Sequence, residues 1–242
     1  MSQPTTSTNP ATYTLGFHDP EAVSKMTYHA LGNTGLKVSR FSLGGGPLGG
    51  LYGKDTEQER VDMVHLALKS GINYIDTAPW YGNGRSEQLL GKVGGAEGRE
   101  ERPTQLQLLG LDYVDVIQVH DLEFAESVDI ILKETLPALQ KVVQEGKARF
   151  IGITGYNVSL LKEVVERSPV KIDVVLTYAR NTLIDDTLTH FIPFFKSRGI
   201  GVVNACAVSM GLLCEGPLVD WHPALQEIKD ACKAAVEYCK PH

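Results

Sequence analysis

No hydrophobic run in this sequence of 242 residues approaches the roughly 20 residues that a membrane helix requires. A basic excess is missing too: Lys and Arg number 23 against 29 Asp and Glu, for a net charge of −6. Nucleic acid and anionic membrane both reward a basic face, so neither is expected as the main partner. No CxxC pair and no His-rich neighbourhood accompanies the four cysteines, Cys206, Cys214, Cys232 and Cys239. They read as buried or idle thiols of a reducing compartment, and no metal site is expected. Met1 to Pro10 has no apolar core, and the first basic residue, Lys25, follows Asp19 and Glu21. Neither a secretory signal nor a mitochondrial presequence is legible, so a cytoplasmic location is expected. Residues 1–25 read as a disordered tail and 26–242 as a single domain.

What is present is an ordinary globular balance, 43% hydrophobic and 21% charged. Tyr28 to Ser39 reads as two short strands around a Gly/Asn turn. Arg40 to Leu43 then enters the glycine-rich stretch Gly44 to Gly50. Further core strands are predicted from Asn73, Val114, Phe150, Asp173 and Gly201. Helices are predicted between them: Asp55–Ser70 with Val61, Val64, Leu66 and Leu68 inward, Ser86–Lys92, Pro137–Glu145, Ser159–Arg167 and Leu188–Ser197. A last helix carries Leu225, Ile228, Cys232, Ala235, Val236 and Cys239 on one face.

Strands alternating with helices at this spacing imply parallel pairing through right-handed crossovers. Asp76, His120, Asp121, Thr154, Asn204 and Ser209 all fall at or after the carboxyl ends of predicted strands. That is where a (β/α)8 barrel builds its site. A doubly wound sheet is the alternative, but the glycine run after the first strand does not open directly into a helix. A complete eightfold barrel takes about 250 residues. With the tail and hairpin set aside, only about six core strands fit, so the barrel is expected to be incomplete.

Asp76-Thr77-Ala78-Pro79-Trp80-Tyr81-Gly82 is the most informative segment, placing a carboxylate at a strand end and a tyrosine five residues later. His120 ends another strand. With a hydride donor nearby, a tyrosine can give a proton to a carbonyl oxygen that a histidine holds. Taken singly, each of the three has an ordinary packing or turn-forming explanation.

Together with their surroundings these residues resemble the aldo-keto reductases. The hairpin Leu31 to Ser39, the run Asp76 to Gly82 followed by Arg85 to Lys92, the segment Leu109 to Asp121 and the approach Gly146 to Ile153 are each similar to a family signature. Ser209-Met210-Gly211-Leu212-Leu213 is most similar to the L-galactose dehydrogenase branch. The resemblance implies that Asp76, Tyr81 and His120 are three members of an Asp-Tyr-Lys-His tetrad, converging at one mouth of the barrel. It implies NAD or NADP as cofactor, held by Gly45, Gly46 and Pro47, by Thr154 and Gly155 at the nicotinamide carboxamide, and by Asn204, Ser209, Met210, Gly211 and Leu212. The last four would cradle the pyrophosphate through backbone N–H groups. Tyr52, Trp80 and Asp121 would wall a pocket for a small carbonyl or sugar substrate.

Two parts of the family pattern have no counterpart. The lysine-bearing third strand should follow Lys92, yet Val93 to Pro103 contains no lysine and no β-branched run. No eighth strand is legible after the last helix, which leaves NAD versus NADP open. Oligomeric state is not legible either. The expected activity is hydride transfer to or from a sugar or aldehyde carbonyl, impaired in this chain. The alternative is a non-catalytic shortened isoform, or a nucleotide- or partner-binding pseudoenzyme.

Overall fold

A computed structural model describes residues 9–52, 55–95 and 104–240. The chain divides into two compact units, residues 1–114 and 115–242, and each is taken by itself.

The first unit begins inside the expected tail. Helix α1 (Pro20–Lys25) is capped by the Asp19 carboxylate, which accepts the N–H groups of Glu21 and Ala22. The Asp19 N–H donates to the Lys69 carbonyl at 2.8 Å, and Val23 is buried. Residues from Asp19 onward are therefore part of the fold, and residues 1–8 lie outside those described. Strands β1 (Tyr28–Ala30) and β2 (Lys37–Ser39) form the expected antiparallel hairpin. The short strand β3 (Leu43–Gly44) leads into a 3-10 turn, Pro47–Gly49, and then helix α2 (Glu57–Lys69). A reciprocal Thr56–Glu59 capping box starts α2, satisfying otherwise orphaned N–H groups. Val64 packs with Leu48 and Leu89, with Val61 and Leu68 alongside. Leu66 departs from expectation at 66% exposed. Positions 61, 64 and 68 share one stripe of a 3.6-residue helix, and 66 falls off it. Strand β4 (Ile75–Asp76) returns parallel to β3. Helix α3 (Arg85–Val93) follows, then α4 (Gln105–Leu109), whose Thr104–Gln107 capping box was the sequence signal for a helix the reading did not include.

The second unit is organised on a four-stranded sheet in the order β5 (Val114–Val119), β6, β7, β8. After β5, helix α5 (Val128–Ile130) passes through a π-helical turn, Ile131–Thr135, into α6 (Leu136–Gln144). The sequence reading starts this helix at Pro137, nine residues after its observed start at Val128. A proline ring clashes with the carbonyl four residues earlier, and the wider π turn just before Pro137 accommodates it. The Thr135 hydroxyl takes up the Ile130 carbonyl there. Strand β6 (Ala148–Gly155), helix α7 (Val158–Arg167), strand β7 (Val174–Tyr178), helix α8 (Ile192–Ser197) and strand β8 (Gly201–Ala205) complete the alternation. The predicted helix from Leu188 is interrupted: Thr187–His190 is a 3-10 turn, and α8 starts afresh before Pro193.

Register decides which side chains share a face. Ile153, Val175 and Val202 are aligned across β6, β7 and β8. They pack in one cluster with the helix residues Leu136, Leu161 and Phe195, the last three fully buried. Burial of each such side chain stabilises by roughly 1.5–3 kcal/mol. One step along, Thr154, Leu176 and Val203 align on the opposite face, and Gly155, Thr177 and Asn204 return to the first. The final helix, α9 (Gln226–Cys239), buries only Cys232 of its predicted apolar face; Leu225 and Ile228 are 69% and 42% exposed.

Candidate active site

In the first unit the site residues hang from the carboxyl end of β4. The Gly45 N–H donates to the Asp76 carbonyl at 2.6 Å, extending the β3–β4 pairing by one step. A Cβ on Gly45 would stand 2.6 Å from Ser86 Oγ and 2.9 Å from Thr77 Oγ1, whose hydroxyls bond each other at 2.8 Å. Only glycine permits that approach. Tyr81 lies in the following loop, its N–H donating to Ala78 O at 3.0 Å and its carbonyl accepting from Ser86 N at 3.2 Å. The loop is seated against the 3-10 turn backbone to backbone: a Cβ on Gly49 would lie 2.6 Å from Tyr81 O and 2.7 Å from Gly82 N. The glycine-rich stretch therefore has a structural task, which is to bring Pro47–Gly49 against the Tyr81 loop. Gly46 faces the Tyr52 ring, 3.6 Å from its would-be Cβ, and Trp80 is 76% exposed.

Asp76 also acts on its own strand. Burial, and then the Asp76 charge, push the Tyr74 phenol above the usual tyrosine range, so Tyr74 is a fixed phenol beside the carboxylate. Lys92 Nζ pairs with Glu57 across α2 and α3 and is half exposed, and this lysine holds the Glu57 carboxyl below its ordinary value. The segment expected to lack the third strand lies, from Ala96 to Pro103, outside the described residues.

In the second unit His120 follows β5, and Asp121 turns the chain in the left-handed region at φ 51°. Three neighbours lock that turn. The Asp121 N–H donates to Thr154 Oγ1 at 2.7 Å, and the Thr154 hydroxyl donates to Asp121 Oδ1 at 3.2 Å. The Tyr156 hydroxyl reaches Asp121 Oδ2 at 3.3 Å, and His120 Nδ1 is 3.4 Å from the same oxygen. Tyr156 is itself placed by an edge-to-face contact with Tyr178 and by Arg180, whose Nε donates to the Tyr156 carbonyl at 2.9 Å. Arg180 is anchored in turn by Asp185, whose carboxyl lies low despite burial because Thr187 and Arg180 hydrogen-bond it. Sequence reasoning missed Tyr156 and Arg180, because a tyrosine or arginine after a strand carries no distinctive spacing.

Gly155 packs closely against Glu123. Its would-be Cβ falls 2.7 Å from Glu123 Oε1, and that carboxylate caps α7 by accepting the Asn157 N–H at 2.6 Å. The missing side chain makes room for Glu123 on the side opposite Thr154. Asn204 donates through Nδ2 to the Asn181 carbonyl at 2.8 Å, leaving Oδ1 buried without a partner among the described residues.

The expected N–H cradle at Ser209–Leu212 lies on a 3-10 turn, Ser209–Gly211. Ser209 N donates to Cys206 O, Gly211 N to Val208 O and Leu212 N to Ser209 O, so the 3-10 turn satisfies these donors internally. Met210 N alone among the four meets a thiol, Cys206 Sγ, at 2.9 Å. Among the described residues no group of three or more His, Cys, Asp or Glu side chains could hold a metal, and no helix is long and apolar enough to cross a membrane.

The family model described as the Aldo/keto reductase family matches residues 40–104 and 99–242. L-galactose dehydrogenase of Arabidopsis thaliana is 42% identical over 245 aligned residues, covering 90% of this chain and 76% of the relative. D-threo-aldose 1-dehydrogenase of a Pseudomonas species is 27% identical over 78% of this chain and 71% of its own. Among solved structures, an aldo-keto reductase from Bacillus halodurans in its holo form superposes with TM-score 0.65 at 24% identity, over 90% of this chain and 83% of its own. A glycerol dehydrogenase from Gluconobacter oxydans gives TM-score 0.65 at 21% identity, over 87% and 76%. At those identities the two structures speak for the fold alone.

Proposed function

The chain belongs to the aldo/keto reductase family, as an oxidoreductase of that type built on an incomplete (β/α)8 barrel, and we propose that it exchanges hydride between NAD or NADP and the carbonyl carbon of a small sugar or aldehyde. The observation that carries the proposal is the lock on Asp121. Thr154 and Tyr156 hold the left-handed turn that delivers His120 from the end of β5. Such rigidity is what a residue holding a reacting oxygen requires.

The residues present fit a nicotinamide dinucleotide. Asn204 Oδ1 is a buried acceptor awaiting a donor, and the Thr154 hydroxyl, with one bond donated and one accepted, keeps a lone pair. They lie on opposite faces of the sheet, so Thr154 suits a carboxamide and Asn204 a separate donor such as a ribose hydroxyl. In the first unit Gly45, Gly46 and Pro47 are the candidate cofactor contacts, and in the second the Ser209–Leu212 turn would receive a diphosphate. The nicotinamide, when bound, supplies or accepts the hydride.

Tyr81 gives the proton to the carbonyl oxygen during reduction and removes it from the alcohol during oxidation. In the second unit, His120 is the candidate to orient a carbonyl oxygen. Asp76 supplies a negative charge at the end of β4. Tyr52 and Trp80 in the first unit, and Asp121 in the second, are the candidate substrate contacts, and the aldose dehydrogenases among the relatives make L-galactose and related aldoses the first substrates to try. The site of action is cytoplasmic.

One observation favours a weaker, mainly nucleotide-binding protein: Lys92 is committed to Glu57, and residues 93–103 contain no lysine. An unassisted tyrosine titrates near pH 10, and each unit of pKa shift corresponds to about 1.4 kcal/mol between its protonation states. Calorimetric titration with NADH and NADPH, followed by steady-state oxidation of L-galactose and reduction of small aldehydes, tests both readings. Tyr81→Phe should lower turnover by roughly 10²–10⁴-fold. Binding of neither dinucleotide would refute the oxidoreductase assignment of this chain, and binding without turnover would select the second reading.

A further inference from the structure

His222 belongs to no sequence motif used above, yet it is one of the few buried polar side chains, at 5% exposed. Its ring bridges two segments. The Ala224 N–H points at Nδ1 at 3.1 Å, which makes Nδ1 the acceptor, so Nε2 carries the hydrogen and donates to the Ser209 carbonyl at 3.1 Å. The residue it grips lies in an unusual stretch: Cys206, Ser209, Met210 and Gly211 all have positive φ, at 61°, 51°, 56° and 93°. Non-glycine residues persist there only when their surroundings over-determine them.

A trans peptide points its C=O and N–H in opposite directions. The Ser209 carbonyl accepts from His222 and from the Leu212 N–H, each at 3.1 Å, and these two bonds together fix the direction of the Met210 N–H. That N–H is the donor in Ser209–Leu212 that the turn does not tie to a backbone carbonyl; its partner is the thiol of Cys206. Sulfur is a weak acceptor, whereas a phosphate oxygen forms a charge-assisted bond roughly twice as strong as a neutral one. The same clamp turns the Ser209 carbonyl lone pairs away from an approaching anion.

We propose that His222 is a positioning residue for the cofactor diphosphate, orienting the Ser209–Met210 peptide so that the Met210 N–H passes from Cys206 to a phosphate oxygen. This rests on the reading of Ser209–Leu212 as the diphosphate seat. His222 touches neither cofactor nor substrate and acts through one peptide group.

Calorimetric Kd values for NADH and NADPH, measured on the parent, His222→Leu and His222→Gln, test it, with urea midpoints recorded alongside. Glutamine can place its amide nitrogen near the original Nε2, so His222→Gln should bind within about threefold of the parent, while His222→Leu should bind roughly tenfold more weakly. Equal affinity in the parent and His222→Leu overturns the proposal while leaving the cofactor reading intact. Equal weakness of His222→Gln and His222→Leu also overturns it, since packing and not donation would then be responsible. A parent that binds neither dinucleotide removes the diphosphate seat and the proposal together. Should His222→Leu not fold, Cys206→Ser decides. Its hydroxyl holds the Met210 N–H more firmly and should weaken binding severalfold; unchanged affinity there refutes the transfer.

Discussion

Gly49→Ala introduces a single methyl group where the 3-10 turn meets the Tyr81 loop. Its Cβ would lie 2.6 Å from the Tyr81 carbonyl oxygen and 2.7 Å from the Gly82 nitrogen, both backbone atoms. Ordinary van der Waals contact begins near 3.4 Å, and the Tyr81 carbonyl carbon would stand closer still, so the two segments must separate by about 1 Å. Neither side yields cheaply. Leu48, one residue earlier, is fully buried against Val64 and Leu89, and the Tyr81 loop is closed by the Tyr81–Ala78 and Gly84–Pro79 hydrogen bonds. Overpacking of this kind costs about 1–3 kcal/mol, against which alanine recovers only about 0.4–1 kcal/mol through the unfolded chain. The net expectation is a loss of about 1–2 kcal/mol in urea unfolding. Because Tyr81 moves with its loop, turnover should fall further than stability, since a misplacement of about 1 Å can cost on the order of 10²-fold. A Gly49→Ala protein within about 0.5 kcal/mol of the parent and with unchanged turnover would show that the glycine contact does not position Tyr81.

Thr154→Val removes the acceptor of the Asp121 N–H and the donor to Asp121 Oδ1 while keeping the shape. A loss of about 1–3 kcal/mol in unfolding free energy is expected, and Thr154→Ser should retain most of the parent's stability; a Thr154→Val protein as stable as the parent would contradict the lock. Glu87 is 2% exposed on α3, and burial raises its carboxyl above the ordinary value. A raised folded pKa means that the folded state binds more protons: its contribution is fully present below the unfolded value of 4.5 and is lost as pH rises through the folded pKa. Glu87→Gln should therefore raise the urea midpoint relative to the parent at pH 7–8 and leave it little changed near pH 4. A constant difference across that range would refute the assignment.

Local pattern settled much of this molecule. Runs of β-branched residues made Val114–Val119 and Gly201–Ala205 legible to the residue, because a buried parallel strand needs little besides apolar side chains and a turn on either side. Asp76, His120 and Asp121 were legible as strand-end residues for the same reason, and the capping boxes at Thr56 and Thr104 stand openly in the sequence. Tertiary structure decided the rest. Whether a glycine admits a ligand or a neighbouring backbone is a matter of what approaches it, and only packing showed that Gly49 meets Tyr81 and that Gly155 meets Glu123. Backbone N–H groups carry no sequence signature of their partners, so the internally satisfied Ser209–Leu212 turn was not legible either. His222 reaches Ser209 across thirteen residues, a separation at which periodicity has faded and position depends on the path of the chain between them.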